Sequence, residues 1–443
     1  MSKLDSFFKL SEKKTNIKTE VLAGTTTFIT MAYILFVNPS ILSIAGMDYN
    51  SVFMATAISA AIGTLIMGLY ANLPFAQAPG MGLNAFFTFG VVLTLGYTWQ
   101  QALGIVFISG IVFIILTVTG ARKAIVEAIP ISLKHAIGGG IGLFIALIGF
   151  KNAKIVVASE ATLVTFGSFA DAGVILALIG LVITGALMAR KQKGAILIGI
   201  IATTIIGIPM GVTNLNLMQE LSFDMSHTFL QLDLVGLLTA GEKGLLGTIL
   251  SVITVVISFS LVDMFDTLGT LIGTGAKAKM LDEKGNLPNM NKALLADAVA
   301  TSAGALLGTS TVTTYVESAA GVSEGGKTGL TSVTTGILFI LSIFLAPIAL
   351  LVPGQATAPA LIIVGILMMG TLKEIDFEDF EEAMPAFFTL VLMAFSFSIA
   401  NGIAAGIVFF CIIKLLVGKY KEIHPTMYIL AILFILKFTI FPH

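Results

Sequence analysis

Residues 72–87 read NLPFAQAPGMGLNAFF, and residues 306–326 read LLGTSTVTTYVESAAGVSEGG. Each falls where a membrane-crossing helix is due, and neither suits a continuous one. Pro74, Pro79, Gly80 and Gly82 interrupt the first, because proline removes a backbone donor and glycine weakens a helix interior. In the second, Thr309–Tyr315 is polar and β-branched, and Gly321 is expected to close a short helix. Both read as an extended piece running into a half-helix, with Asn84 and Glu317 at comparable points in the first turn of each. Unsatisfied backbone groups in hydrocarbon cost several kcal/mol each, so such stretches must be buried in protein or line a cavity. Two half-helix N-termini bring free N–H groups and positive dipole ends together. Extended strands beside them add donors and acceptors along an edge, which suits a flat heterocycle. The plainer reading, that glycine and proline serve only kinks and packing, weakens when two such spans occupy corresponding places.

The rest of the chain supports a membrane setting. Hydrophobic residues make up 56% of the sequence and charged residues 11%, and mean hydropathy is +1.00. A soluble domain carries about 25% charged residues, so the surplus apolar surface must face lipid. The 45 glycines suit helices that pack closely or break within the bilayer. A net charge of -1 points to no nucleic-acid partner. The single cysteine, Cys411, excludes an intrachain disulfide and a cysteine metal cluster. The polar N-terminal segment is not expected to be a cleaved signal peptide.

Apolar segments place spans near 21–44, 51–72, 78–95, 100–120, 131–150, 172–190 and 194–211. A second series lies near 247–273, 291–308, 314–325, 328–352, 358–372, 385–399 and 401–418. Residues 1–20 form an N-terminal segment, 212–246 a connection and 419–443 a C-terminal segment with an apolar stretch at 426–441. That stretch reads either as an interfacial helix or as a fifteenth span, and the sequence leaves both open. The expected fold is an all-α polytopic membrane protein of about fourteen spans in two inverted seven-span repeats, 21–211 and 247–418. Its third and tenth spans are broken into half-helices and short strands.

Basic residues give the orientation. Lys3, Lys9, Lys13, Lys14 and Lys18, then Arg122–Lys123, Arg190–Lys191–Lys193, Lys277–Lys279–Lys284 and Lys414, Lys419 and Lys421 all fall on one side, taken as the cytoplasm. The connection holding Glu220, Asp224 and Asp233 falls outside, with Lys151 and Lys154 as exceptions there. Seven spans per half reverses the second half against the first, as an inverted repeat requires.

Charged residues within a span cost roughly 2.5–3.5 kcal/mol on insertion scales and are functional by default. Asp263 and Asp266 in SFSLVDMFDTLGTLIG (258–273) share one helix face, and Glu317 follows in TTYVESAAG. Two carboxylates in a low-dielectric site resist being ionised together, which makes them candidate proton carriers. They can also accept a hydrogen bond from a ring N–H, or donate one when protonated. The alternative is a set of acids satisfied by neighbouring hydroxyls, and it weighs more for Asp266 than for Asp263 or Glu317. For Asp297 a structural role is favoured. His135 and Trp99 read as interfacial.

The segments QAPGMGLNAFF (77–87), SLVDMFDTLGTL (260–271), GTSTVTTYVESAAGV (308–322) and SIANGIAAG (398–406) together resemble the AzgA-like purine permeases of the nucleobase–ascorbate transporter superfamily. The resemblance runs over nearly the whole chain. It implies a core domain from spans 1–4 and 8–11, a gate domain from spans 5–7 and 12–14, and a homodimer through the gate. It also implies proton-coupled import of hypoxanthine, guanine or adenine across the cell membrane by an elevator-like motion, with the proton as coupling ion and no other cofactor. By position it assigns substrate binding to Asn84, Asp263 and Glu317, with Phe75, Ala76, Tyr315 and Val316 supplying backbone. Asp263, Asp266 and Glu317 would carry the coupling. An anion transporter on the same fold is the main alternative, and the carboxylates speak against it. An intramembrane aspartyl protease would need its two aspartates on separate helices. A cation channel would need a symmetry that the chain lacks.

Overall fold

The computed structural model describes residues 3–120, 128–217, 222–239, 244–282 and 287–440. Arg122, Lys123, Glu220 and Lys284 lie outside these residues. Mostly helical, the chain includes nine described helices long and apolar enough to cross a membrane, with shorter apolar helices beside them. This is a multi-pass membrane protein.

The first half begins with a short helix α1 (Lys3–Phe8), followed by α2 (Ile17–Met31) and α3 (Ile34–Leu42). The helix α2 starts at Ile17, so Glu20 belongs to it rather than to a polar leader. α2 and α3 form one crossing whose regular winding is interrupted at Ala32–Tyr33. Next come α4 (Tyr49–Ile66), strand β1 (Gln77–Pro79) and α5 (Met81–Ala85), the last continued by wider π-helical turns over Phe86–Thr94. Then follow α6 (Trp99–Thr119), α7 (Ile131–Asn152), an exposed hairpin of β2 (Val156–Ser159) and β3 (Leu163–Phe166), α8 (Ala172–Ala189) and α9 (Ala195–Gly207). No sequence signal was read for that hairpin.

The second half comprises α10 (Gly244–Lys277), α11 (Met290–Leu307), β4 (Val312–Thr314) and α12 (Ser318–Ser323). It closes with α13 (Gly329–Leu341), α14 (Gly354–Met368), α15 (Phe380–Phe395), α16 (Ile399–Leu416) and α17 (Pro425–Ile440). Gly321 does not close α12. It lies inside that helix, and the left-handed residue that follows the helix is Gly325, with φ +100.

Helices α2, α4, α6, α11 and α13 pack chiefly on one another, and so do α7, α8, α9, α14, α15 and α16. In both groups the close approaches run through small residues, as expected where lipid supplies no hydrophobic drive between helices. Between the two groups stand the two broken segments, held by β1 and β4.

α17 lies antiparallel along α16: Cys411 meets Met427 near one end, while Asn401 shares a cavity with Phe438 and Thr439 near the other. It also touches α10. Sixteen residues rise about 24 Å, most of a hydrocarbon core of about 30 Å.

Candidate functional site

The two sequence stretches meet as antiparallel strands. Gln77 stands opposite Thr314, Ala78 opposite Thr313 and Pro79 opposite Val312. The ladder extends at both ends: Gly80 N–H donates to Thr311 O at 2.9 Å and Tyr315 N–H to Ala76 O at 2.9 Å. Each strand thus satisfies backbone that the other would leave bare in hydrocarbon. Gly80 is required by this approach, since a Cβ there would fall 2.6 Å from Thr313 Cγ2. Tyr315 seals the crossing by donating its hydroxyl to Pro79 O at 2.5 Å.

From this crossing the half-helices α5 and α12 leave. Glu317 sits at the N-cap of α12 but makes no side-chain cap bond. Its Oε1 accepts instead from the Tyr33 hydroxyl at 2.7 Å. Asn84 sits a full turn past its own cap, Gly80, so the two residues are offset rather than equivalent. The Asn84 side chain is completely buried; Ser310 Oγ donates to its Oδ1, and its Nδ2 reaches Pro79 O at 3.4 Å.

Helix α10 runs along β4 and α12. Asp263 is completely buried, whereas Asp266, three residues on, is only partly so. Thr267 ties the helix down: its hydroxyl donates to Asp297 Oδ1 at 2.7 Å and lies 2.7 Å from Thr313 Oγ1. Thr267 thereby joins α10 to α11 and to β4. The Asp266 carboxyl lies within electrostatic reach of Asp297 and of Glu317, and the Tyr33 and Tyr315 phenols lie within reach of Asp266 and Glu317.

The structure therefore gathers Asp266, Glu317 and Tyr315 at one place. The backbone groups of Ala76 and Tyr315 named from the sequence are engaged in the ladder, and Ala76 N–H also meets Ser318 Oγ at 2.9 Å. Phe75 is buried with its carbonyl held by Ser332 at 2.9 Å, while the Val316 side chain stays 51% exposed. Sequence reading missed Tyr33, Thr267 and Ser310. A tyrosine in the apolar run TMAYILFV gives no signal except the nearby Asn38–Pro39 pair. Among the described residues no group of three or more histidines, cysteines or acids could hold a metal ion.

The model of a permease family matches residues 18–409. The chain belongs to this family, the nucleobase–ascorbate transporters. The permease is a transporter and not an enzyme. It is 51% identical to a Methanocaldococcus jannaschii protein named only as a permease, over 99% of this chain and 98% of that one. It is 45% identical to the adenine permease AdeP of Escherichia coli, over 98% and 95% of the two chains. It is also 45% identical to the guanine/hypoxanthine permease PbuO of Bacillus subtilis, over 97% and 99%. The transmembrane domain of the cyanobacterial bicarbonate transporter BicA superposes with a TM-score of 0.67 at 16% identity, covering 88% of the permease and 97% of that chain. The permease thus shares its fold with a protein of unrelated sequence.

Proposed function

We propose that the permease imports a purine base, hypoxanthine, guanine or adenine, together with a proton. The observation that carries this reading is the placing of two partly exposed acids beside the β1–β4 ladder: Glu317 two residues beyond its last bond at Tyr315, and Asp266 next to Thr267, which meets Thr313 of β4. Carboxylates at that point accept from ring N–H groups, and they disfavour an anion. The full-length relatives named as adenine and guanine/hypoxanthine permeases support the substrate class.

In this reading a proton from outside neutralises Asp263 or Glu317, with Asp266 modulating the coupling. The base docks between the half-helices α5 and α12, and Asn84 and the backbone near Phe75–Ala76 and Tyr315–Val316 complete its surroundings. The core domain, spans 1–4 and 8–11, then moves against the gate domain, spans 5–7 and 12–14. The two packing groups of helices suit such a division. Coupling requires that base and proton each bind the two conformations with different affinity. The N-terminus lies in the cytoplasm, the protein sits in the cell membrane, and two copies associate through the gate domain.

The deciding experiment is uptake of radiolabelled hypoxanthine, guanine, adenine, uracil and xanthine into cells lacking their own carriers, with and without a protonophore. Saturable purine uptake that the protonophore abolishes is expected. Protein present in the membrane with no uptake of any base overturns the reading and turns attention to bicarbonate, chloride and sulfate.

A further inference from the structure

Lys151 and Lys154 are exceptions to the orientation that the basic residues set, and the import reading gives them no task. Lys151 lies in the last turn of α7, where a cation complements the helix dipole. That plain role does not account for where its charge goes. Lys151 Nζ lies 5.0 Å from the ring centre of Phe397 and 5.8 Å from that of Phe89, within the range at which a ring face attracts a cation. The two rings come from different parts of the fold. Phe89 belongs to the π-helical continuation of α5, and Phe397 to the turn between α15 and α16.

Phe397 is held for this contact. Its φ of +49 is left-handed, which a bulky residue keeps only where its surroundings impose it. Phe144, two turns before Lys151 on the same face of α7, meets the Phe397 ring edge-on at 6.1 Å. Ile141 and Ile145 of α7 face Gly82 of α5, where an added Cβ would fall 2.5 Å and 3.7 Å from their side chains. The charge at the end of α7 therefore touches its own helix group through Phe397 and the first broken segment through Phe89. We infer that Lys151 is an outer latch: it holds the gate helices to the first broken segment at their outer end, and movement of one past the other breaks its contact with Phe89 while keeping that with Phe397. This rests on the domain movement proposed above. A contact made in one conformation only shifts the balance between conformations by its own strength, about two- to fivefold for one cation and ring at an exposed site.

The test uses a single reporter cysteine, I145C in a C411A background, because Ile145 is fully buried where α7 faces α5 and Cys411 is the one native thiol. A membrane-impermeant thiol reagent is added outside intact cells, and the rate of modification is measured in this parent, in K151M and in K151R. K151M keeps the length of the side chain without its charge, and K151R keeps the charge. K151M should react about three- to tenfold faster than the parent, with its melting temperature unchanged and K151R close to the parent rate. Equal rates in K151M and the parent, or K151R reacting as fast as K151M, overturn the latch and leave the domain movement standing. A K151M melting temperature well below the parent's assigns the faster reaction to a loosened fold and also overturns it. A cysteine that reacts in none of the three, in protein that still takes up purine, overturns the domain movement itself. The thiol rates need no substrate, so a failure of purine uptake is read separately.

Discussion

Glu20 on α2 lies beneath the first turn of α13, where its carboxylate accepts twice from Thr328, N–H at 3.2 Å and Oγ1 at 2.9 Å to Oε2, and once from the neighbouring Lys327 N–H at 3.0 Å to Oε1. Thr331 Oγ1 adds a further bond at 2.6 Å. Glu20 is wholly buried, so it works as a cap supplied by a distant helix, complementing the positive end of α13. Asn72 caps the next residue by accepting from Gly329 N–H at 2.7 Å. Replacing Glu20 with alanine strands several buried donors, each costing about 1–3 kcal/mol. E20A is therefore expected to lower the melting temperature of the detergent-purified protein sharply, with E20Q recovering part of the loss. An E20A melting curve matching wild type would refute this cap.

Gly321 offers a steric prediction. Its missing Cβ leaves room for the carbonyl of Ala23, a backbone atom that cannot step aside as a flexible side chain would. G321A should push α12 off α2 and lengthen the Tyr33–Glu317 contact. Uptake is expected to fall at least tenfold with expression retained. G185A is the control, because nothing lies within 4 Å of a Cβ added there.

The acids should separate by experiment. E317Q keeps the shape of the side chain and its acceptor oxygen while removing the charge. It should abolish protonophore-sensitive accumulation of the base. Accumulation retained in E317Q would remove Glu317 from the coupling role. D297N is expected to act through stability instead, since Asp297 is buried and holds Thr267 on α10; its readout is a lowered melting temperature.

Lys193, in the connection between α8 and α9, forms an ion pair with Glu324 just after α12. The pair joins the second packing group to the segment that follows α12. Lys193 is exposed and Glu324 partly so, so the pair itself contributes about 0–1 kcal/mol, and K193A should leave the melting temperature nearly unchanged. A disulfide between cysteines at the two positions, in a C411A background, should by contrast arrest uptake until it is reduced. Undiminished uptake by the fully crosslinked protein would show that this contact persists throughout transport.

The direction of α17 predicts where the chain ends. α17 runs back along α16 toward the level of Asn401. A reporter fused after the C-terminus should be reached from the membrane face opposite to one fused before the N-terminus. Reporters accessible from the same face would return residues 426–441 to the interface.

The sequence by itself determined the parts whose causes are local. Proline and glycine in 72–87 and β-branched residues at 309–315 forbid continuous helices wherever the chain folds, so the strands β1 and β4 and their half-helices were legible. Intramembrane acids are conspicuous because their insertion is costly, so Asp263, Asp266 and Glu317 stood out. Only the tertiary structure decided which helix faces meet. In soluble proteins an amphipathic period marks the buried face, but a span that is apolar all round carries no such mark. The bonds Tyr33–Glu317 and Glu20–Thr328 join residues 284 and 308 positions apart. The glycine contacts that create them involve helices whose pairing no sequence period announces. The same reason hid the packing of α17 against α16, because lipid and protein are equally apolar neighbours.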